Sequence, residues 1–292
     1  MSSIIESIGL PDGRRLDVRS SGPTDAPAVF FHHGSPGSAM NIHCYDESAH
    51  RHGLRFLTMS RAGFGNSTPR PGRHIVDVVG DTQAALDHFG VERCMFVGVS
   101  GGAPHALACA ARLSGSSNVT IICGIGPAVE MGSERFIGQR EFLRALIDSM
   151  QTGREQVRDL VAPTWNVSAL TPQRFMSRMA SRLPTADQAV VDEAYAEQFV
   201  ANLQEALRQS LDGLVDDQIA IASPWGFDLA EIAIPVSVWH GTLDETVPVD
   251  HAYWLADHIS NATVHIEDGE GHLSISVHAI DRVFDEMLGR PI

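Results

Sequence analysis

Basic side chains are scarce in this chain of 292 residues: 21 against 36 acidic ones, a formal net charge of −15. That balance argues against nucleic acid and anionic membrane surfaces as partners. The 14 histidines make the charge less negative below about pH 6.5. Cysteine is scarce too. Cys44, Cys94, Cys109 and Cys123 show no C-x-x-C spacing, and three of them lie in apolar runs, so buried free thiols are expected rather than disulfides or a metal site. No His/Asp/Glu cluster has metal-ligand spacing, and no metal or cofactor is expected. No secretion signal is expected either, since Met1-Ser2-Ser3-Ile4-Ile5-Glu6 has no basic segment followed by an apolar one. No stretch reaches the roughly 18 apolar residues that a membrane helix needs. Internal repeats and low-complexity tracts are also absent. The expectation is a soluble protein of a reducing cytoplasm, monomer or homodimer, with a small molecule as its partner.

What is present is an ordinary apolar share of 43%, enough for a sizeable core, and an alternation of strand-type with helix-type stretches. Residues 4–10 and 14–20 read as strands around the turn Pro11-Asp12-Gly13. From Ala28 onward, continuous apolar runs alternate with helical patterns. Strands are expected at 28–32, 54–59, 94–97 and 119–122, with helices at about 38–52, 75–89 and 103–113. This rhythm predicts an α/β fold with a mostly parallel sheet, helices on both faces and right-handed crossovers. It breaks after Gly126-Pro127. Helices are expected at about 133–150, 154–161, 172–182 and 185–213, punctuated by Pro163, Pro172, Pro184 and Gly213. Alternation returns with strand 236–240, helix 251–259, strand 263–266 and helix 275–288. The division that follows is a core of residues 1–127 and 223–292 and a helical cap of residues 128–222 over the C-terminal edge of the sheet.

Gly98-Val99-Ser100-Gly101-Gly102 joins an apolar strand to an Ala- and Leu-rich helix. Strand, Gly-x-Ser-x-Gly, helix is the context of a nucleophile elbow, where the glycines leave room for a strained serine. Serine needs a base of near-neutral pKa. His272, in the loop Gly269-Glu270-Gly271-His272 after the last strand, is placed for that task, whereas His265 lies within a strand and His278 within a helix. Asp244 follows strand 236–240 directly and is the acid that would fix the tautomer of His272. Glu245 and Asp250 are expected as surface charges. The strand after the elbow ends in Gly124-Ile125-Gly126-Pro127, without a carboxylate, which strengthens Asp244. The oxyanion hole is expected from the backbone N–H groups of Gly101 and Ser35, with His33 bracing the Ser35 loop. Trp165, Phe175, Met176 and Met179 of the cap are candidates for an apolar pocket.

These residues, with His33-Gly34-Ser35-Pro36-Gly37 and Arg61-Ala62-Gly63-Phe64-Gly65-Asn66-Ser67, resemble the α/β-hydrolase superfamily from about residue 4 to 289, the cap excepted. The likeness is to its capped branch of esterases, lactonases, proline iminopeptidases, carbon–carbon bond hydrolases and epoxide hydrolases. It implies eight mostly parallel strands, a helical cap, and Ser100, Asp244 and His272 as a triad in the order Ser, Asp, His. Epoxide hydrolases and haloalkane dehalogenases carry aspartate where Ser100 stands. Proline iminopeptidases usually show Gly-Gly-Pro-Gly and Asp-x-Arg-Gly where this chain has Gly34-Ser35-Pro36-Gly37 and Ser60-Arg61-Ala62-Gly63. The expected activity is therefore cofactor-free hydrolysis of a small ester or lactone through an acyl-enzyme. With few basic residues near the motifs, the substrate is expected to be neutral to moderately apolar. Alternatives within the fold are a carbon–carbon bond hydrolase, which needs a cationic clamp for its acid substrate, and an aminopeptidase. From another class, the alternative is a non-catalytic ligand receptor.

Overall fold

A computed structural model describes residues 4–292 except 42, 133–140, 166 and 180–182. Eight strands form one sheet in the order β1-β2-β4-β3-β5-β6-β7-β8. The hairpin β1 (Glu6–Gly9) and β2 (Arg15–Ser21) runs antiparallel to its neighbours, and β2 joins β4 (Arg55–Ser60). The remaining strands, β3 (Ala28–His32), β5 (Cys94–Val99), β6 (Ser116–Ile122), β7 (Val236–Gly241) and β8 (Ala262–Glu267), pair in parallel.

Strand side chains alternate between two faces, and both faces are covered. Phe30, Leu57, Phe96, Ile121 and Val238 pack on one side with α2 (Val78–Phe89), α3 (Ala103–Arg112) and α11 (Asp250–His258). Phe31, Phe56, Val97, Ile122 and Trp239 pack on the other with α1 (His43–Arg51), α12 (His272–His278) and α13 (Ile280–Met287). The elbow strand β5 is central, so its C-terminal end opens at the middle of the sheet edge.

Between β6 and β7 the described residues form helices and no strand. They are α4 (Ala128–Met131), α5 (Glu141–Thr152), α6 (Arg154–Val161), α7 (Pro172–Met179), α8 (Thr185–Val190), α9 (Glu193–Ala206) and α10 (Asp212–Ala222). Leu146, Val157, Val161, Leu207, Leu214 and Val215 form a small core of their own, into which Phe64 inserts from the loop after β4.

Several boundaries differ from the sequence expectation. The helix expected over 185–213 is three helices. Asp192 caps α9 by accepting from Tyr195 N at 2.8 Å, which restarts the chain after Val191. Gly213 does not end a helix but lies in the first turn of α10. A methyl group there would sit 2.4 Å from the Gly63 carbonyl, so this glycine serves a close backbone approach. The helix expected from Ser38 begins at His43. Ser38 instead bonds the Asn202 side chain through its N and Oγ, and Asn41 takes a left-handed φ of 55°. The helix expected over 275–288 starts at His272 and bends at Ala279, where backbone bonds from Ala279 to Ile275 and from Val283 to Ala279 run through the break. Of the expected helices at 133–150 and 172–182, residues 133–140 and 180–182 lie outside the described residues.

Candidate active site

Ser100 follows β5 with a φ of 55°, the left-handed conformation that a serine adopts only under constraint. The constraint is visible at its neighbours. A methyl on Gly98 would lie 2.6 Å from the Gly102 carbonyl oxygen, and one on Gly102 would lie 2.1 Å from that of His32. Only glycine permits the turn, and the turn lifts the Ser100 hydroxyl above the sheet edge.

His272 arrives from the other side of that edge. Its helix, α12, is anchored by Asp187 of α8, whose buried carboxylate accepts from His272 N (3.0 Å), Leu273 N (2.9 Å) and Ser274 N (2.9 Å). This satisfies three of the orphan donors of a helix N-terminus. A methyl on Gly271 would strike the same carboxylate at 2.4 Å. The imidazole then spans two partners: Nδ1 lies 2.7 Å from Asp244 Oδ2, and Nε2 lies 3.0 Å from Ser100 Oγ.

Asp244 is fully tied down. Oδ1 accepts from Thr246 N and Val247 N, each at 2.8 Å, and buried His240 places Nε2 3.2 Å from Oδ2. Burial pushes this carboxyl up, but the charges and hydrogen bonds of His272 and His240 outweigh it and hold Asp244 below the usual carboxylate range. For His272, burial alone favours the neutral ring, while the Asp244 carboxylate outweighs it and raises the imidazole above its ordinary value. The arrangement can therefore accept a proton from Ser100 and stabilise the imidazolium that results. Glu245 and Asp250 are exposed, and His265 and His278 pair with Glu286 and Glu270, away from the site.

The loop after β3 lies against the elbow: a methyl on Gly101 would fall 3.3 Å from Ser35 N. Arg61, buried to 1% exposure, donates to His33 O (2.5 Å) and Gly34 O (3.1 Å). In a trans peptide the N–H points opposite to the C=O, so holding the Gly34 carbonyl toward Arg61 turns the Ser35 N–H the other way. His33 braces the same loop, placing Nδ1 2.7 Å from Gly34 O and accepting from Arg61 N at 3.3 Å. Arg61 pairs with buried Asp217 of α10 (2.7 Å), which also meets Arg73 (2.9 Å), while His105 bonds Gly101 O at 3.0 Å. Gln218 donates to Ser35 Oγ at 3.2 Å. Helix α10 and the elbow are thus fastened to one buried ionic cluster.

Cys123 Sγ lies 4.0 Å from His272 Nε2, and with Asp244 these residues bring three potential ligand atoms within 4.8 Å. Burial pushes the Cys123 thiol up, so it stays protonated, and both ring nitrogens of His272 already have partners. The donor set suits proton transfer rather than metal binding.

A cavity of about 350 Å³ opens over Ser100. Trp165 and Phe175, the aromatic pocket candidates, line it. Met176 does not. One position further round α7, it packs on the apolar cluster that includes Tyr45, Val191 and Tyr195. The Met179 side chain lies outside the described residues. Asn41, Tyr45, Arg178 and Tyr195 also line the cavity, and no local motif marks any of them.

Fold and site together define a hydrolase built on a doubly covered, mostly parallel sheet. The model of the alpha/beta hydrolase fold family matches residues 27–279, and the chain belongs to that family. It is 22% identical over 267 residues to an uncharacterized hydrolase of Bacillus subtilis, covering 90% of this chain and 89% of that one. A shorter match, 35% over 92 residues, is to a bifunctional esterase/perhydrolase of Acinetobacter calcoaceticus; it spans 31% of this chain and about a third (33%) of that protein's length. Among solved structures, a bromoperoxidase from Bacillus anthracis superposes with a TM-score of 0.70 at 19% identity, covering 99% of this chain and 100% of that one. An esterase from Rhodococcus superposes with a TM-score of 0.68 at 18% identity, covering 98% and 99%. No helix among the described residues is long and apolar enough to cross a membrane.

Proposed function

We propose that this hydrolase cleaves small esters or lactones through an acyl-enzyme on Ser100, without a cofactor. Residues 128–222 act as a cap over the site. The observation that carries the reading is the continuous path from Ser100 Oγ through His272 to Asp244, at 3.0 and 2.7 Å, with Ser100 held at a φ of 55°.

Ser100 Oγ attacks the acyl carbon while His272 Nε2 takes its proton. Negative charge moves to the carbonyl oxygen, which the N–H groups of Gly101 and Ser35 receive. Asp244 steadies the imidazolium. The bond to the leaving alcohol breaks as His272 returns the proton to its oxygen. Water then enters, gives a proton to His272, attacks the acyl carbon, and leaves Ser100 free after the proton returns to Oγ. The cap excludes bulk water from this sequence and shapes the acyl pocket. Two comparisons lend support: the word esterase appears in the names of both the Acinetobacter relative and the Rhodococcus structure.

A screen of p-nitrophenyl esters, lactones and amides with the wild type and Ser100→Ala tests this. Ester or lactone turnover is expected, with kcat lowered on the order of 10³ or more in Ser100→Ala. Turnover retained within about tenfold in that variant would remove Ser100 from the mechanism. Turnover of amides alone would reject the ester reading.

A further inference from the structure

Asn41 is 4% exposed, and its Nδ2 has no hydrogen-bond partner among the described residues, yet it lines the cavity over Ser100. Buried donors without acceptors are costly and few in native proteins, so each asks for a reason. The left-handed φ of 55° at Asn41 is one that asparagine tolerates. A buried, unsatisfied donor at a cavity wall is placed for a ligand.

Arg178 comes to the same cavity from α7. Its guanidinium gives one N–H to Thr164 O at 3.1 Å. Among the described residues no carboxylate pairs with it, although the chain has 36 acidic side chains. Among the described residues no aspartate or glutamate lines the cavity either. Of the other ionisable groups there, His33 and His272 are already engaged with Arg61 and with Asp244, and burial pushes the Tyr45 and Tyr195 phenols up, so both stay neutral. An unpaired guanidinium fork over mostly aromatic and aliphatic walls selects a planar anion. A neutral carbonyl would satisfy Asn41 but leave Arg178 without a counter-charge.

We propose that the substrate carries a carboxylate, separate from the bond that is cleaved, held by Arg178 of the cap and the side-chain amide of Asn41. This names the substrate class of the site proposed above and rests on that reading. It departs from the neutral substrate expected from sequence, because Arg178 lies far along the chain from every motif and reaches the site through folding of the cap.

The test is a ratio of kcat/KM values. Two arms locate the carboxylate: p-nitrophenyl esters of ω-carboxy acids against the matched unsubstituted alkanoates, and butyryl esters of ω-hydroxy acids against those of plain alcohols. The carboxylate-bearing member of at least one pair is expected to be favoured by about tenfold or more in the wild type. Arg178→Gln and Asn41→Asp should each bring that ratio down toward or below one, while Arg178→Lys, which keeps the charge and loses the fork, keeps part of it. Asn41→Asp suits the left-handed backbone and adds a like charge. Because the ratio is internal to each variant, partial loss of folding does not mimic the effect. Neutral esters equal to or faster than acidic ones in both arms would overturn the proposal, as would a preference that survives Arg178→Gln. Absence of any Ser100-dependent ester turnover would instead bring down the underlying reading, and the proposal with it.

Discussion

His272 can serve as a base only while its ring is neutral. The Asp244 carboxylate, acting against burial, raises the imidazole above its ordinary value of about 6.5. Activity should therefore fall on the acid side along a limb that lies above that value. Asp244→Asn removes the raising charge, so the limb should shift to lower pH while kcat drops strongly, because the amide also offers the wrong partner to Nδ1. A pH profile of kcat/KM for both enzymes checks this; an unmoved limb would assign it to another group. Ser100, His272 and Asp244 were legible in the sequence because each sits in its own short motif at a strand end. Asp187 and His240, which hold His272 and Asp244, were not. Neither has a local signature, and Asp187 reaches His272 across 85 positions of chain. Asn41 and Arg178, which line the cavity, carry no local signature either.

At the scale of elements, α10 lies so close to the loop after β4 that no side chain fits between them. Gly→Ala within a helix ordinarily stabilises by about 0.5–1 kcal/mol. Gly213→Ala should do the opposite, since the added methyl meets Gly63 backbone at 2.4 Å and nothing flexible can yield. We expect a lower urea midpoint, with activity reduced as well because Asp217 and Gln218 ride on the same helix; an equal or higher midpoint would refute the contact. The proposed cap carries a second prediction. Trp165 lines the cavity, so Trp165→Ala should change the ratio of kcat/KM between long and short acyl esters more than it lowers turnover of a small acetate ester. A uniform loss that tracks melting temperature would make Trp165 a packing residue only. Strand–helix alternation was readable because short continuous apolar runs, buried on both sheet faces, differ from the 3.6-residue spacing of the helices between them. The breaks inside 185–213 were not, since they depend on a cap at Asp192 and on tertiary contacts of the loops between the helices.

For the whole molecule, pH acts through buried histidines as well as through the site. Burial, helped by the Arg61 charge, holds His32 down to about 3, and holds His33 and His105 well below the ordinary value. A ring kept neutral in the fold adds stability that is whole above its unfolded pKa of about 6.5 and drains as pH falls toward the folded one. Each such histidine contributes a slope approaching about 1.4 kcal/mol per pH unit below 6.5. His272 acts in the other direction, but only above about 6.5, where its raised pKa makes stability fall as pH rises. Asp217 and Asp244, both held below the usual carboxylate range, add a further loss only near and below about pH 3.9. Urea midpoints should therefore drop steadily between pH 6.5 and 4.5. A flat profile would mean that these rings are not neutral in the fold.

Covalent capture of Ser100 tests the central claim most directly. The protein is treated with a fluorophosphonate, digested, and the modified peptide identified by mass. The account predicts a single rapid phosphonylation on the peptide that carries Gly98-Val99-Ser100-Gly101-Gly102, lost in Ser100→Ala and slowed on the order of a thousandfold or more in His272→Ala. Labelling that maps to another residue, or that persists at the same rate in His272→Ala, would contradict it.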